Sequence, residues 1–182
     1  MPQAPTSSLG VWFARVDAAE YGLCRKLNHG AAFPVPRRIF QAASRLGDGA
    51  VWYLLIMLLP CVYGRAGLRP AAAMALTGLL GVAVYKGLKR AFVRERPFIT
   101  HAAIDRAMAP LDRYSFPSGH TLHAVSFVLQ ACIHFPPLAW VLVPLALTIA
   151  ASRVVLGLHY PTDVLAGAVL GALLGALGLA LS

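Results

Sequence analysis

The chain has 182 residues, of which 58% are hydrophobic and 13% are charged, and its mean hydropathy is +0.67. A soluble domain of this length is usually much more polar, and two independent domains would both be undersized, so the composition favours a single membrane-embedded unit. The formal charge is +9, yet the basic residues stand in short clusters between apolar runs, which argues against a nucleic-acid-binding protein and favours anionic lipid or phosphate as a partner.

The N-terminal stretch from Val11 to Leu27 mixes aromatic and aliphatic residues with charged ones. This pattern predicts an amphipathic helix that lies in the membrane interface rather than crossing the membrane. The apolar run from Leu9 to Ala14 is too short, and too soon interrupted by charge, for the hydrophobic region of a signal peptide. We therefore expect no cleavage there.

Two breaks separate this helix from the apolar part of the chain. Pro34 and Pro36 predict the first, and Gly47 with Gly49 predicts the second. The sequence thus predicts an N-terminal interfacial helix and linker over residues 1–45. Residues 46–182 are predicted to form the membrane-embedded domain.

Five apolar segments follow, and each predicts a membrane-spanning helix. A helix needs about 20 apolar residues to cross a bilayer core, and fewer where its ends snorkel or the bilayer thins. The segments cover Ala50–Tyr63, Pro70–Leu88, Gly119–His134, Leu138–Ala151 and Thr162–Leu181. In the last segment glycines recur at four-residue spacing, which predicts close packing against a neighbouring helix. The sequence therefore predicts an all-α integral-membrane bundle of about five transmembrane helices.

The second predicted span ends in a basic cluster, KRAFVRERP, which starts at Lys89. Lys89 and Arg96 lie seven residues apart at a membrane boundary, so two fixed positive charges converge there. One basic cluster beside a span usually contacts lipid head groups or sets topology. We expect only solvated or head-group-facing roles for the flanking charges, which are Lys86, Arg90, Arg94 and Glu95.

The third predicted span begins at the sequence PSGH, which ends at His120. A serine cap and free backbone N–H groups at a helix start bind phosphate readily, which makes Ser118 and Gly119 candidate anion ligands. His120 titrates near neutrality and suits the protonation of a leaving alkoxide. A histidine at a membrane interface is, by itself, more often an anchor or a capping partner.

Arg153 precedes a third group, in which His159 and Asp163 lie four residues apart at the start of the last span. Pro161 between them is well tolerated at a helix start. Asp163 would then lie in the first helical turn. From there it could accept a hydrogen bond from one ring nitrogen of His159 and leave the other nitrogen free for nucleophilic attack.

The order of the spans brings all three motifs to the same face of the membrane. Ionisable groups are costly near lipid, so two histidines, three cations and an aspartate on one face indicate a functional site. The sequence shows no cluster of carboxylates with hard-cation spacing, and the three cysteines are far apart. It therefore predicts neither a metal site nor a disulfide, and no cofactor.

Taken in order, KRAFVRERP, PSGH and SRVVLGLHYPTD resemble the three signature motifs of the type 2 phosphatidic acid phosphatase superfamily. The resemblance implies a metal-independent lipid phosphate phosphatase that works through a phosphohistidine. It implies that His159 is the nucleophile, Asp163 its orienting partner and His120 the acid that protonates the leaving group. The phosphate ligands that it implies are Lys89, Arg96, Ser118, Gly119 and Arg153.

Two other classes share part of this pattern. Vanadium-dependent haloperoxidases have the same motifs but are soluble, which the five predicted spans oppose. A non-catalytic protein that binds anionic lipid would need the basic clusters but not the two histidines and the aspartate.

The substrate class follows from the resemblance in size and span plan, which favours a polyprenyl diphosphate such as undecaprenyl diphosphate. Phosphatidic acid, phosphatidylglycerol phosphate and lipid A phosphates remain alternatives, and the oligomeric state stays open.

The resemblance to small bacterial members implies a multi-pass protein of the bacterial inner membrane. The positive-inside rule favours a cytoplasmic active face, because Arg37, Arg38 and Arg45 lie on the motif side against Arg65 and Arg69 opposite. Many bacterial relatives work at the outer face of this membrane, and on that resemblance we favour the periplasmic side.

Overall fold

A computed structural model describes residues 8–182 as a bundle of α-helices, and no strand occurs within them. The helices are α1 (Ser8–Asn28), α2 (Pro34–Leu46), α3 (Ala50–Tyr63), α4 (Arg65–Phe92), α5 (Pro97–Thr100), α6 (Gly119–His134), α7 (Ala139–Val155) and α8 (Pro161–Leu181). Short 3₁₀ helices at His29–Ala32 and Pro136–Leu138 precede α2 and α7. The all-α fold predicted from the sequence is confirmed.

The predicted N-terminal stretch from Val11 to Leu27 is helical, as part of α1, but a second helix replaces the first predicted break. Pro34 and Pro36 fall in the first turn of α2. A first turn tolerates proline because its backbone N–H groups lack an intrahelical partner. The two prolines therefore begin a helix instead of ending one, and the predicted linker is largely helical.

Within residues 8–182, three helical stretches are long and apolar enough to cross a membrane: Arg65–Thr100, Pro136–Val155 and Pro161–Leu181. The pair α2 and α3, bent by 54° at their junction, would make a fourth if it counted as one span. The sequence predicts about five spans because it also counts α3 and α6, which have 14 and 16 residues. Each helix is confirmed, but neither reaches by itself the roughly 20 residues that cross a bilayer core.

Helix α6 is the centre of the bundle and packs against α4, α7 and α8. Its polar residues Ser126 and Gln130 are buried and hydrogen-bonded to each other, so they face protein rather than lipid. The apolar core surrounds it and includes Trp52, Leu59, Met74, Phe127 and Ile149. A central helix shielded in this way need not be uniformly apolar.

The glycines of α8 let it approach α6 closely, as predicted. A Cβ atom added at Gly167 would lie 2.5 Å from the carbonyl oxygen of Ser118, and one at Gly171 would fall against that of Leu122. At either position the Cβ atom would lie far closer to the carbonyl oxygen than any real contact, so only glycine fits. The close approach fixes the first turn of α8 beside the start of α6, where two of the three motifs meet.

Candidate active site

The three motifs come together at one end of the bundle, around a cavity of about 570 Å³. Six of the eight predicted site residues line it: Lys89, Arg96, Gly119, His120, Arg153 and His159. The other two, Ser118 and Asp163, are fully buried and support the lining residues. The grouping predicted from the order of the spans is therefore present in the fold.

His159 lies in the turn between α7 and α8 and is 2% exposed. Its Nε2 atom lies 3.3 Å from Nη1 of Arg96, and its Nδ1 atom lies 3.5 Å from Oδ2 of Asp163. Burial, followed by the charges of Arg96, Arg153 and Lys89, holds the pKa of His159 well below 6.5. The imidazole is therefore neutral at pH 7, and Nε2 faces the cations.

Asp163 lies on the side of His159 that was predicted, but its strongest partners are others. Its Oδ1 accepts a hydrogen bond from Nη1 of Arg94 at 2.6 Å, and its Oδ2 accepts one from the backbone N–H of Tyr160 at 2.9 Å. At 3.5 Å from Nδ1, the carboxylate is within ion-pair distance of the ring, while Nδ1 makes no hydrogen bond among the described residues. The orientation agrees with the prediction; the hydrogen bond itself is not formed.

Lys89 and Arg96 are both buried and share one carboxylate oxygen. Nζ of Lys89 and Nη2 of Arg96 each donate to Oδ1 of Asp112 at 2.7 Å. Both side chains also donate to backbone carbonyls, and Nη1 of Arg96, which lies near Nε2 of His159, binds that of Leu158 at 2.7 Å. An anionic oxygen thus already occupies the point where these two cations converge, and a phosphate oxygen has the same charge and hydrogen-bonding needs.

Arg153, at the end of α7, is 2% exposed and binds the hydroxyl of Ser44 through Nη1. Its Nε has no hydrogen-bond partner among the residues that the structure describes. A buried N–H without a partner costs about 1–3 kcal/mol. Arg153 also lines the cavity, where its guanidinium adds positive charge.

The serine cap predicted at the start of α6 is present. The Ser118 side chain caps the helix by accepting a hydrogen bond from the backbone N–H of Thr121. Gly119 lies against the ring of Tyr85, which a Cβ atom would approach to 3.4 Å. His120 points its Nε2 at Oδ1 of Asp48, 2.7 Å away.

Four contact residues of the site escaped sequence analysis: Ser44, Asp48, Arg94 and Asp112. Arg94 was expected to be solvated or to face head groups, which is wrong, because its side chain is 1% exposed. Val93 before it adopts a left-handed conformation with φ 46°, ends α4 and turns the chain inward. The sequence pattern of the basic cluster does not contain this turn.

The half of the cavity away from the cations is apolar and is built from α3 and α4. Its walls include Trp52, Ile56, Met74, Gly78 and Val82. Three further lining side chains are 68–72% exposed on the outside of the bundle, namely Tyr53, Met57 and Leu79. The cavity therefore opens sideways between α3 and α4, on a surface that faces lipid.

The described residues contain no group of three or more histidine, cysteine, aspartate or glutamate side chains placed to hold a metal ion. Positive charge in the cavity comes from lysine and arginine side chains.

Residues 66–182 match the model of the PAP2 superfamily. The chain belongs to the PAP2 superfamily. It is 30% identical to undecaprenyl-diphosphatase BcrC of Bacillus subtilis, over 69% of this chain and 65% of that protein. It is 31% identical to lipid A 1-phosphatase of Rhizobium johnstonii, over 76% of this chain and 65% of that protein. A third relative, decaprenylphosphoryl-5-phosphoribose phosphatase of Mycobacterium tuberculosis, is 33% identical over 75% of each chain.

The chain thus spans about 65% of the length of the first two of these relatives. Its fold is similar to the crystal structure of Aquifex aeolicus LpxE, with a TM-score of 0.72 and 26% identity over 89% of this chain and 95% of that one. It is also similar to a transmembrane PAP2 type phosphatidylglycerolphosphate phosphatase from Bacillus subtilis, with a TM-score of 0.69 and 24% identity over 94% and 92% of the two chains. The protein is a multi-pass membrane protein with the fold of this superfamily.

Proposed function

We propose that the chain is a membrane lipid phosphatase that removes phosphate from a lipid through a phosphohistidine on His159. The observation that carries the proposal is the position of Nε2 of His159. It is directed at Arg96 among three buried cations, at the polar end of a cavity whose other end is apolar and opens toward lipid. A phosphate on an apolar tail fits both ends.

In the first step the phosphate displaces Asp112 from Lys89 and Arg96 and also binds Arg153. Each charge-assisted hydrogen bond contributes about 1.5–3 kcal/mol. The Nε2 lone pair of His159 attacks the terminal phosphorus, and the bond from this phosphorus to the oxygen of the leaving group breaks. His120 gives a proton to that oxygen. The leaving group is the lipid monophosphate when the substrate is a diphosphate, and the lipid alcohol when it is a monoester.

In the second step water attacks the phosphohistidine, and the bond between phosphorus and Nε2 breaks. His120, now neutral, takes a proton from the water, and inorganic phosphate leaves. Asp163 stabilises the positive charge that the ring of His159 carries while it is phosphorylated. No step needs a metal ion, so excess EDTA should leave the rate unchanged.

Among lipid phosphates, we infer that a polyprenyl diphosphate such as undecaprenyl diphosphate is the substrate. Two of the three curated relatives described above act, by name, on polyprenyl-linked phosphates. The apolar half of the cavity is one continuous space between α3 and α4, which suits a single long tail. Phosphatidic acid, phosphatidylglycerol phosphate and lipid A phosphates are the alternatives.

The protein purified in detergent tests the function directly. Phosphate release is measured from undecaprenyl diphosphate, phosphatidylglycerol phosphate, phosphatidic acid and lipid A phosphate, each with and without EDTA. We expect turnover that survives EDTA, is inhibited by vanadate as a transition-state mimic, and disappears in His159→Ala.

The matched control for that variant is His134→Ala. His134 binds Ser182 at the far end of α6, away from the cavity, so its loss should leave turnover intact. Binding of all four lipids without any phosphate release would support a non-catalytic lipid-binding protein and overturn the proposal. Release that requires magnesium would overturn the metal-free mechanism.

A further inference from the structure

Arg94 is buried where α1 meets the first turn of α8, and it links α1 to the aspartate behind His159. Its guanidinium carries five N–H donors, and all five are used. On the α1 side, Nε and Nη2 donate to Oδ1 of Asp17 at 3.0 and 2.6 Å, and Nη2 also donates to Oε2 of Glu20 at 3.0 Å. On the α8 side, Nη1 donates to Oγ1 of Thr162 at 2.7 Å and to Oδ1 of Asp163 at 2.6 Å.

Helix α1 also binds α8 directly, through Glu20. Oε1 of Glu20 accepts a hydrogen bond from the backbone N–H of Thr162, and Oε2 accepts one from its hydroxyl, both at 2.7 Å. The first N–H groups of a helix have no intrahelical acceptor, so Glu20 supplies one from another helix. The rings of Tyr160 and Phe13 cover the guanidinium of Arg94, at 4.1 and 4.9 Å.

The network is a costly way to attach one helix to a bundle. Asp17, Glu20 and Asp163 surround one guanidinium, and their side chains are only 12%, 13% and 0% exposed. Apolar residues of similar size would dock α1 at least as firmly, because desolvation offsets most of the attraction between buried charges. Docking alone therefore does not explain the network, whereas its contact with Asp163 does.

We propose that Arg94, held by Asp17 and Glu20 of α1, is a positioning residue that sets the carboxylate of Asp163 against His159. The inference rests on the proposed function of His159 as the nucleophile. It makes α1, which precedes the residues matched by the family model, a working part of the site.

The geometry explains how the positioning operates. Arg94 holds one oxygen of Asp163 and the backbone N–H of Tyr160 holds the other, so the carboxylate cannot rotate. Its Oδ2 then faces Nδ1 of His159, which favours the tautomer with the proton on Nδ1 and the lone pair on Nε2. When the ring becomes phosphorylated and positive, a small movement closes the 3.5 Å gap.

The same contact limits the charge that His159 experiences. A buried carboxylate without a partner would either take up a proton itself or draw one onto the neighbouring imidazole. Arg94 offsets part of the charge of Asp163, and burial with the cations near Nε2 keeps the resting imidazole neutral and able to attack. Lysine cannot replace it, because an ammonium has three donors and lacks the planar fork that reaches four acceptor groups at once.

A double-mutant cycle tests whether Arg94 acts through Asp163. Arg94→Gln should lower kcat by about 10- to 100-fold, the usual loss when a supporting hydrogen bond to a reactive side chain is removed, with KM little changed. The double variant Arg94→Gln/Asp163→Asn should be no slower than Asp163→Asn alone. Arg94→Lys should restore little of the rate. The control is Arg90→Gln, which changes an exposed arginine of the same cluster and should have the kcat of the wild type.

Glu20→Gln tests the part that α1 plays. Its amide oxygen still accepts from the N–H of Thr162, so α1 stays docked, but one of the two α1 carboxylates that hold Arg94 loses its charge. We expect kcat to fall with nearly normal thermal stability. A lower melting temperature of Glu20→Gln with normal kcat in the folded fraction would show that the network only holds α1 in place, and would overturn the inference. Rate losses of Arg94→Gln and Asp163→Asn that multiply in the double variant would overturn it as well.

The tautomer of His159 gives a readout that needs no turnover. ¹⁵N NMR of labelled protein should show Nδ1 protonated in the wild type, and a mixture of tautomers in Arg94→Gln. An unchanged tautomer in that variant would overturn the inference even if the variant were slow. If the wild type hydrolysed no lipid phosphate, the proposed function would fail, and the NMR comparison would still decide the role of Arg94.

Discussion

At the scale of single residues, the two histidines of the site differ in what surrounds them. His159 is enclosed between Asp163 on one side and cations on the other, which leaves it neutral and directed at the phosphate. His120 lines the same cavity but is paired with Asp48, a carboxylate that is one-third exposed. Burial lowers the pKa of His120 from 6.5, and the hydrogen bond to the Asp48 carboxylate opposes that shift. The Asp48 partner is therefore the group that helps to hold a proton on the ring for donation.

Substrates whose leaving groups differ in their need for a proton distinguish the role of His120 from that of His159. In His120→Ala we expect turnover of phosphatidic acid, a phosphate monoester of a lipid alcohol, to fall by about 10²- to 10⁴-fold, because an alkoxide must be protonated as it leaves. Hydrolysis of p-nitrophenyl phosphate should fall much less, since nitrophenolate leaves without a proton. Steady-state rates with both substrates check this, and equal losses would show that His120 does something other than donate this proton.

The pH dependence of kcat/KM reports His159 in the free enzyme. Its pKa is lowered from 6.5, so the ring stays neutral as the pH falls through 6.5 and becomes protonated, hence unable to attack, only below that value. The acidic limb that belongs to His159 should therefore lie below pH 6.5. Ionisation of the substrate phosphate falls in a similar range, so a second comparison is needed.

Lys89→Gln supplies that comparison. Lys89 is one of the cations that lower the pKa of His159, so its removal should move the acidic limb to higher pH, whatever the loss in absolute rate. The ionisation of the substrate is the same for every variant. Arg90→Gln, with an exposed arginine next to Lys89, should leave the limb in place. A limb that does not move in Lys89→Gln would belong to the substrate.

At the scale of helices, the apolar runs and the glycine spacing of α8 predict the bundle well because they depend only on local sequence. The site motifs are predictable for the same reason, since each sits within a few residues of a helix end. Asp48 and Arg94 are different, because they meet partners 72 and 77 residues away. No local pattern encodes such contacts, and the turn at Val93 that buries Arg94 is set by tertiary packing.

The contact between α6 and α8 gives a stability prediction. Gly171→Ala places a methyl group against the carbonyl oxygen of Leu122, and the helices must separate to admit it. Overpacking of this kind costs about 1–3 kcal/mol, so the melting temperature in detergent should drop. Gly87→Ala on α4, where a Cβ would meet nothing within 4 Å, should be neutral or slightly stabilising. Equal melting temperatures for the two variants would contradict the packing described here.

At the scale of the whole molecule, the turn between α3 and α4 lies at the opposite end of the bundle from the site. Helix α3 begins beside the cavity and ends at Tyr63, while α4 begins at Arg65 and returns to the cavity at Lys89. The two ends of this hairpin must therefore face opposite sides of the membrane. Which side carries the site decides whether the substrate phosphate is met in the periplasm or in the cytoplasm.

We predict a periplasmic site in the bacterial inner membrane, and single cysteines at the two ends test it. Arg113→Cys marks the site end of the bundle, and Arg65→Cys marks the opposite end. Both arginines are exposed. Among the described residues, Arg113 has one ion pair, a surface pair with Glu95 that contributes little to stability. Cys61 is exposed and is first replaced by serine. In cells whose outer membrane is permeabilised, a thiol reagent that cannot cross the inner membrane should label Arg113→Cys, and should label Arg65→Cys only after lysis. The reverse pattern would place the active face in the cytoplasm, where the excess of arginine on the motif side would follow the positive-inside rule.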